Sequence, residues 1–107
     1  MCGKPVSVGI VCLDCWFKKI VCGRTGTVAH AKAIRAIWDA QNGRCAYTGL
    51  ALIPGANASL DHVVPVAKGG THDPENMQWI LERINRMKTD MDHDEFLAMC
   101  RLIAARH

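Results

Sequence analysis

The sequence has no long hydrophobic run. Its early apolar stretch, Val6 to Leu13, is interrupted by Ser7 and Gly9 and leads into Asp14. A membrane-spanning helix needs about 20 mostly apolar residues and a signal peptide ends at a small-residue cleavage site, so the stretch reads as neither. Without an export signal the expected location is cytoplasmic, where cysteines serve as thiols or metal ligands rather than disulfides. The chain also lacks internal repeats, low-complexity segments and a strong charge bias. Its 13 Lys plus Arg stand against 10 Asp plus Glu, a net charge of +3. That excess permits a nucleic-acid partner without demanding one. No recognition helix or base-reading arm declares itself, and phosphate contacts carry no sequence information, so specificity is not legible.

What is present is globular. Half of the 107 residues are hydrophobic and 21% are charged, enough for one modest core and too little for two ordinary domains. Residues 1–28 stand apart as a Cys-containing N-terminal segment. Cys12-Leu13-Asp14-Cys15 can grip one tetrahedral zinc from a tight turn, with Cys2 and Cys22 as the remaining ligands. Cys2-Gly3-Lys4-Pro5 looks like the back half of a C-x2-C-G-K knuckle, on which reading the chain starts late and its site lacks a ligand. Against a structural zinc on Cys2, Cys12, Cys15 and Cys22 stands the plainer reading of small buried thiols beside Trp16 and Phe17. Both readings stay open.

From Cys22 to Thr27, CGRTGT reads as a turn or linker. Ala29 to Gln41 has apolar residues at helical spacing and Asn42-Gly43 as a stop, with Lys32 and Arg35 toward the other face. After a turn at Arg44 to Gly49, the spacing predicts a strand over Ser59–Val64, closed by Pro65, and a flexible turn at Lys68-Gly69-Gly70. A second turn spans Asp73 to Asn76, followed by a strand over Met77–Ile80 and a short helix over Leu81–Lys88. Asp92 with Glu95 three residues later marks a capped final helix, whose expected buried stripe is Phe96, Met99, Cys100 and Ile103. The class is α+β.

The stretch from Leu60 to Asp90 is thus strand, loop, strand, helix, and folding the hairpin onto the helix brings Asp61, His62 and Asn85 around one point. DHVVPVAKGGTHDPENMQWI followed by NRMK resembles the HNH endonuclease motif, over roughly Cys45 to Asp90. The resemblance implies a small ββα-metal (His-Me finger) core with flanking helices, a nuclease domain over residues 29–107, and DNA as partner. It makes His62 the first H, Asn76 the middle N, whose side chain braces the loop, and Asn85 the last position.

Phosphodiester hydrolysis needs an activated water and relief of charge on the departing oxygen. An imidazole of ordinary pKa near ~6.5 takes a proton from water at neutral pH, which makes His62 the general base. Hard oxygen ligands suit magnesium or manganese, so Asp61 and Asn85 are the expected metal pair, one ion per site. His72 and Lys88 are candidates for support or phosphate contact. Neighbouring strand residues face opposite sides, so Asp61 and His62 share a phosphate only at a bend, at the strand's end or around its edge. One site makes a nick. Monomer and homodimer are equally open, and no membrane role is expected.

The chain departs from the family at one place. Many members flank the motif with two C-x2-C pairs binding zinc, whereas Cys45, Thr48, Leu81 and Ile84 stand there, so packing of Leu81 and Ile84 beside Cys45 is expected instead. The competing function is a non-catalytic DNA-binding or zinc-ribbon module on a retired nuclease fold.

Overall fold

A computed structural model of the chain describes residues 13–27 and 29–107. In these, helices α1 (Leu13–Thr25) and α2 (Ala31–Ala40) precede a two-stranded antiparallel sheet, β1 (Ala58–His62) and β2 (Met77–Leu81). Helices α3 (Glu82–Lys88) and α4 (His93–Ala105) follow. The architecture is α+β, with a ββα unit from β1 to α3. Among the described residues no helix is long and apolar enough to cross a membrane.

Helix α1 occupies a stretch whose sequence suggests a turn and then a linker. Trp16, Phe17, Ile20 and Val21 recur at helical spacing and make one apolar face. Trp16, Phe17 and Val21 are buried, and Ile20 packs against them. The helix ends where Gly26 takes a positive φ of 78° and its N–H donates to the Cys22 carbonyl at 2.7 Å. Residue 28 therefore does not divide the core, because α1 shares it with Ile34 of α2 and Leu60, Trp79 and Ile80 of the sheet. At its centre Trp16, Phe17, Trp38 and Trp79 meet in mutual contact, with ring centroids 4.9 to 5.6 Å apart. Arg35, expected on the open face of α2, lies over the Phe17 ring at 5.0 Å.

Cys15 and Cys22 both ride on α1 and are exposed, which counters the buried-thiol reading for this pair. Seven residues of helix set them about 10.5 Å apart along the axis. One zinc with Zn–S bonds of about 2.3 Å cannot take both while the helix is intact. The four-cysteine set therefore does not assemble on this helix; Cys2 and Cys12 lie outside the described residues.

The sheet register pairs Leu60 with Trp79 and Asp61 with Gln78. Strand alternation then sends Leu60 and Trp79 toward α1 and α2, and Ser59 and Asp61 toward α3. The outer edge of β2 is closed by Gln41 just past α2: its amide accepts from the Trp79 N–H at 3.0 Å and donates to the Trp79 carbonyl at 2.9 Å. The Trp79 indole N–H donates to the Ile34 carbonyl at 3.1 Å.

Helix α4 has the expected capping box, with Asp92 accepting from the Glu95 N–H at 2.9 Å. Its expected stripe is not buried. Phe96 is, against Tyr47, but Met99 and Ile103 are 50% and 61% exposed and Cys100 is half-buried. The helix meets the body through its first turn, where the His93 N–H donates to the Val63 carbonyl and the Tyr47 ring stacks on His93; the rest extends past it.

The loop between β1 and β2 closes through a close approach at Gly70. A Cβ there would lie 1.7 Å from the Val64 carbonyl oxygen, a backbone atom. Gly70→Ala is expected to lower the urea midpoint by a loss of about 1–3 kcal/mol or more, as overpacking does. An unchanged midpoint would mean the loop closes another way.

Candidate active site

Three residues of α3 face the sheet. Ile84, Asn85 and Lys88 stand at helical spacing on one side, while Glu82, Arg83, Arg86 and Met87 are exposed. Lys88 is fully buried and Asp61 is 5% exposed. The Lys88 ammonium donates to both Asp61 oxygens, Oδ1 at 3.1 Å and Oδ2 at 3.0 Å, and to the His62 carbonyl at 2.8 Å. Gln78, across the hairpin, donates to Asp61 Oδ2 at 2.8 Å. Of the two roles open to Lys88, support and phosphate contact, its burial against the end of β1 fits support.

β1 ends at His62. Its Nε2 lies 2.9 Å from His72 Nδ1, so one histidine donates to the other. Burial first, then the neighbouring charge of His72, hold the His62 pKa below the ordinary imidazole value; Arg24 and Lys88 act in the same direction and Asp61 opposes. Its ring is therefore neutral at neutral pH, the form that accepts a proton.

Asn76 ties the loop together. Its Oδ1 accepts from the Val64 N–H at 2.9 Å, and its Nδ2 donates to the Val64 carbonyl at 2.9 Å and the Thr71 carbonyl at 2.8 Å. The Val63 N–H donates to the Asn76 carbonyl at 2.8 Å. One side chain thereby fixes the segment that follows His62 to the segment that carries His72.

Asn85 donates through Nδ2 to Ser59 Oγ at 2.7 Å, which leaves its carbonyl oxygen as its acceptor. Ser59 also accepts from Arg24 Nη2 at 3.2 Å. Asp61, His62 and Asn85 line one cavity of about 180 Å³, together with Arg24, Leu60, Thr89 and Asp90. Leu60, Asp61 and His62 are consecutive, and consecutive strand residues line one space only along the strand's edge or end. Both apply: β1 pairs with β2 on one side alone and stops at His62. The site wraps that free edge, which resolves how neighbours of opposite facing serve it.

Among the described residues no group of three or more His, Cys, Asp or Glu converges to hold a metal. The donor set nonetheless fits a hard cation. Asp61 Oδ1 accepts one hydrogen bond, from Lys88, and so keeps a lone pair. Asn85 lines the same cavity, and its side-chain amide adds a second oxygen of the kind magnesium and manganese take, the rest of their shell being water and phosphate. Ser59, Gln78, Asp90 and Arg24 also belong to the site or its support, and no motif in the sequence marks them. The strand alternation that buries Asp61 also points to Ser59, but nothing in a segment that reads as a linker marks Arg24.

Where many HNH proteins carry zinc, Cys45 is buried and accepts from the Leu81 N–H at 3.4 Å. Burial pushes its thiol pKa up, and hydrogen bonds from Thr48, Leu81 and Tyr47 outweigh that and leave it lowered. Leu81 and Ile84 pack on the core beside it.

Removing the Lys88 ammonium leaves a buried carboxylate unpaired. Lys88→Ala is expected to destabilise the fold by about 3–5 kcal/mol, read from denaturant unfolding, with much of the loss recovered when Asp61 is also replaced by Asn. Equal stability of Lys88→Ala and the parent would count against the ion pair as an anchor.

No curated protein matches the chain. Residues 43–91, a little under half of it, match a family model described as HNH endonuclease. The match covers the hairpin, the loop and the helix that carry Asp61, His62, Asn76, Asn85 and Lys88, and it is through this segment that the chain is similar to HNH endonucleases.

Proposed function

We propose that this chain is a metal-dependent endonuclease that hydrolyses DNA phosphodiester bonds, cutting one strand per active site. The observation that carries the reading is the single cavity at the free end of β1 lined by Asp61, His62 and Asn85. Residues that carry an imidazole, a carboxylate and an amide line the same space, and each side chain is held by a neighbour: His62 by His72, Asp61 by Lys88 and Gln78, Asn85 by Ser59.

In this reading His62 is the general base. With Nε2–H donating to His72 Nδ1, the His62 Nδ1 lone pair is left to take the proton of the attacking water. The charge that appears on His62 is then shared along the same hydrogen bond, so His72 orients the base and steadies its protonated form. Asp61 and Asn85 hold magnesium or manganese through their oxygens. When bound, the ion supplies Lewis-acid stabilisation of charge on the scissile phosphate and departing oxygen. Lys88 keeps Asp61 aimed, and Asn76 keeps the loop from carrying His72 away from His62. A non-catalytic DNA-binding module has no use for a neutral, oriented histidine beside two oxygen donors, which favours the enzyme.

Purified protein with magnesium or manganese is expected to convert supercoiled plasmid to open circles, and EDTA to stop it. His62→Ala should lower the rate by about 10²–10⁴-fold, the worth of a general base, while far-UV circular dichroism stays unchanged. Undiminished cleavage in that variant sinks the mechanism. Asn85→Ala should lower activity and move the metal titration to higher concentration; an unmoved titration removes Asn85 from the ligand pair.

A further inference from the structure

A second, larger cleft of about 500 Å³ adjoins the candidate active site. It is bounded by Trp16, Ile20 and Arg24 of α1, by the stretch from Gly55 to Leu60, and by Glu82, Asn85 and Arg86 of α3. Ala58, Ser59 and Leu60 are consecutive on its wall, so this cleft too lies along the free edge of β1. Arg24, Leu60 and Asn85 line both spaces. The two form one groove that runs the length of the strand edge and ends at His62.

The groove has two guanidinium groups, in different electrostatic states. Arg86 is held by Glu82 one helical turn away at 2.8 Å. Arg24 donates to a hydroxyl, Ser59 Oγ, and among the described residues it has no carboxylate partner. Most of its N–H donors are therefore available in a planar fork whose spacing matches two oxygens of a phosphate. It stands where the groove meets the cavity of Asp61, His62 and Asn85.

We infer that Arg24 is a phosphate-binding residue, which takes a backbone phosphate of the DNA strand beside the one being cut and sets that strand along the edge of β1. The inference rests on the nuclease reading for its substrate. It assigns a substrate contact to α1, outside the family-matched segment 43–91. Ser59 accepts from both Arg24 and Asn85, which places the guanidinium beside the cavity without making it part of the metal pair.

The test separates phosphate binding from a purely structural role. In the full chain carrying His62→Ala, binding of a short labelled duplex is followed by anisotropy across a sodium chloride series, with and without Arg24→Ala. Arg24→Ala should weaken binding about tenfold, as loss of one charge-assisted contact does. It should also flatten the slope of log K against log salt by about 0.9, the signature of one lost phosphate contact. Arg24→Lys should keep the slope while recovering part of the affinity. With His62 intact, Arg24→Ala should leave the metal titration of plasmid nicking in place. An unchanged salt slope overturns the assignment, and an unchanged slope with a displaced metal titration makes Arg24 a support for Asn85 instead. If the Arg24-intact chain binds no DNA, this inference and the nuclease reading fall together; if it binds and nicks but Arg24→Ala does not change the slope, this one falls alone.

Discussion

An ammonium sealed from water must find its solvation among protein oxygens, and for Lys88 these all lie at the end of β1. Both carboxylate oxygens of Asp61 and the His62 carbonyl accept from it. The geometry of that cluster fixes several things together. It docks α3 against the hairpin, it sets the direction of the Asp61 carboxylate, and it pins the backbone of the residue proposed as base. The interaction is expensive to assemble, because both charges are desolvated, and costly to break, because either one alone has no water to return to. A buried ion pair is poor evidence for stability as such. Here its value lies in leaving α3 one acceptable position, with Asn85 one turn before Lys88 and on the same face.

Around that anchor, support is layered by distance from the chemistry. Asn76 braces the two ends of the loop, the loop presents His72, and His72 orients His62. Gln78 and Ser59 hold Asp61 and Asn85 from the hairpin. The side chains lining the cavity therefore have few alternatives open to them, which is what the proposed hydrolysis requires of its framework.

Much of the central unit was legible in the residues. Alternating strands, the Gly-Gly turn and the Asp92 cap are local signals, and the hairpin, α3 and the α4 start lie close to where those signals put them. Asp61, His62 and Asn85 also meet, as their order on strand and helix suggested. The remainder depended on tertiary relations that periodicity does not encode. Helix α1 is masked in the sequence because its apolar positions at 16, 17, 20 and 21 lie among cysteines that suggest metal. The burial of Lys88 requires knowing that Ile84 faces the sheet, after which residue 88 must as well. The stripe of α4 has the right spacing for burial, but spacing cannot say that the body ends beneath its first turn. Arg24 reaches the site only through the packing of α1 against β1.

The aromatic centre bears on which part of this chain is portable. Trp79 belongs to the family-matched segment, yet the rings that enclose it, Trp16, Phe17 and Trp38, and the carbonyl that takes its indole proton, on Ile34, all come from earlier in the chain. Cut out alone, residues 43–91 would carry the chemical residues and a bare tryptophan face. The inheritable motif and the foldable module are therefore different objects in this protein, and a graft that moves the site to another scaffold has to bring α1 and α2 with it or supply their equivalent.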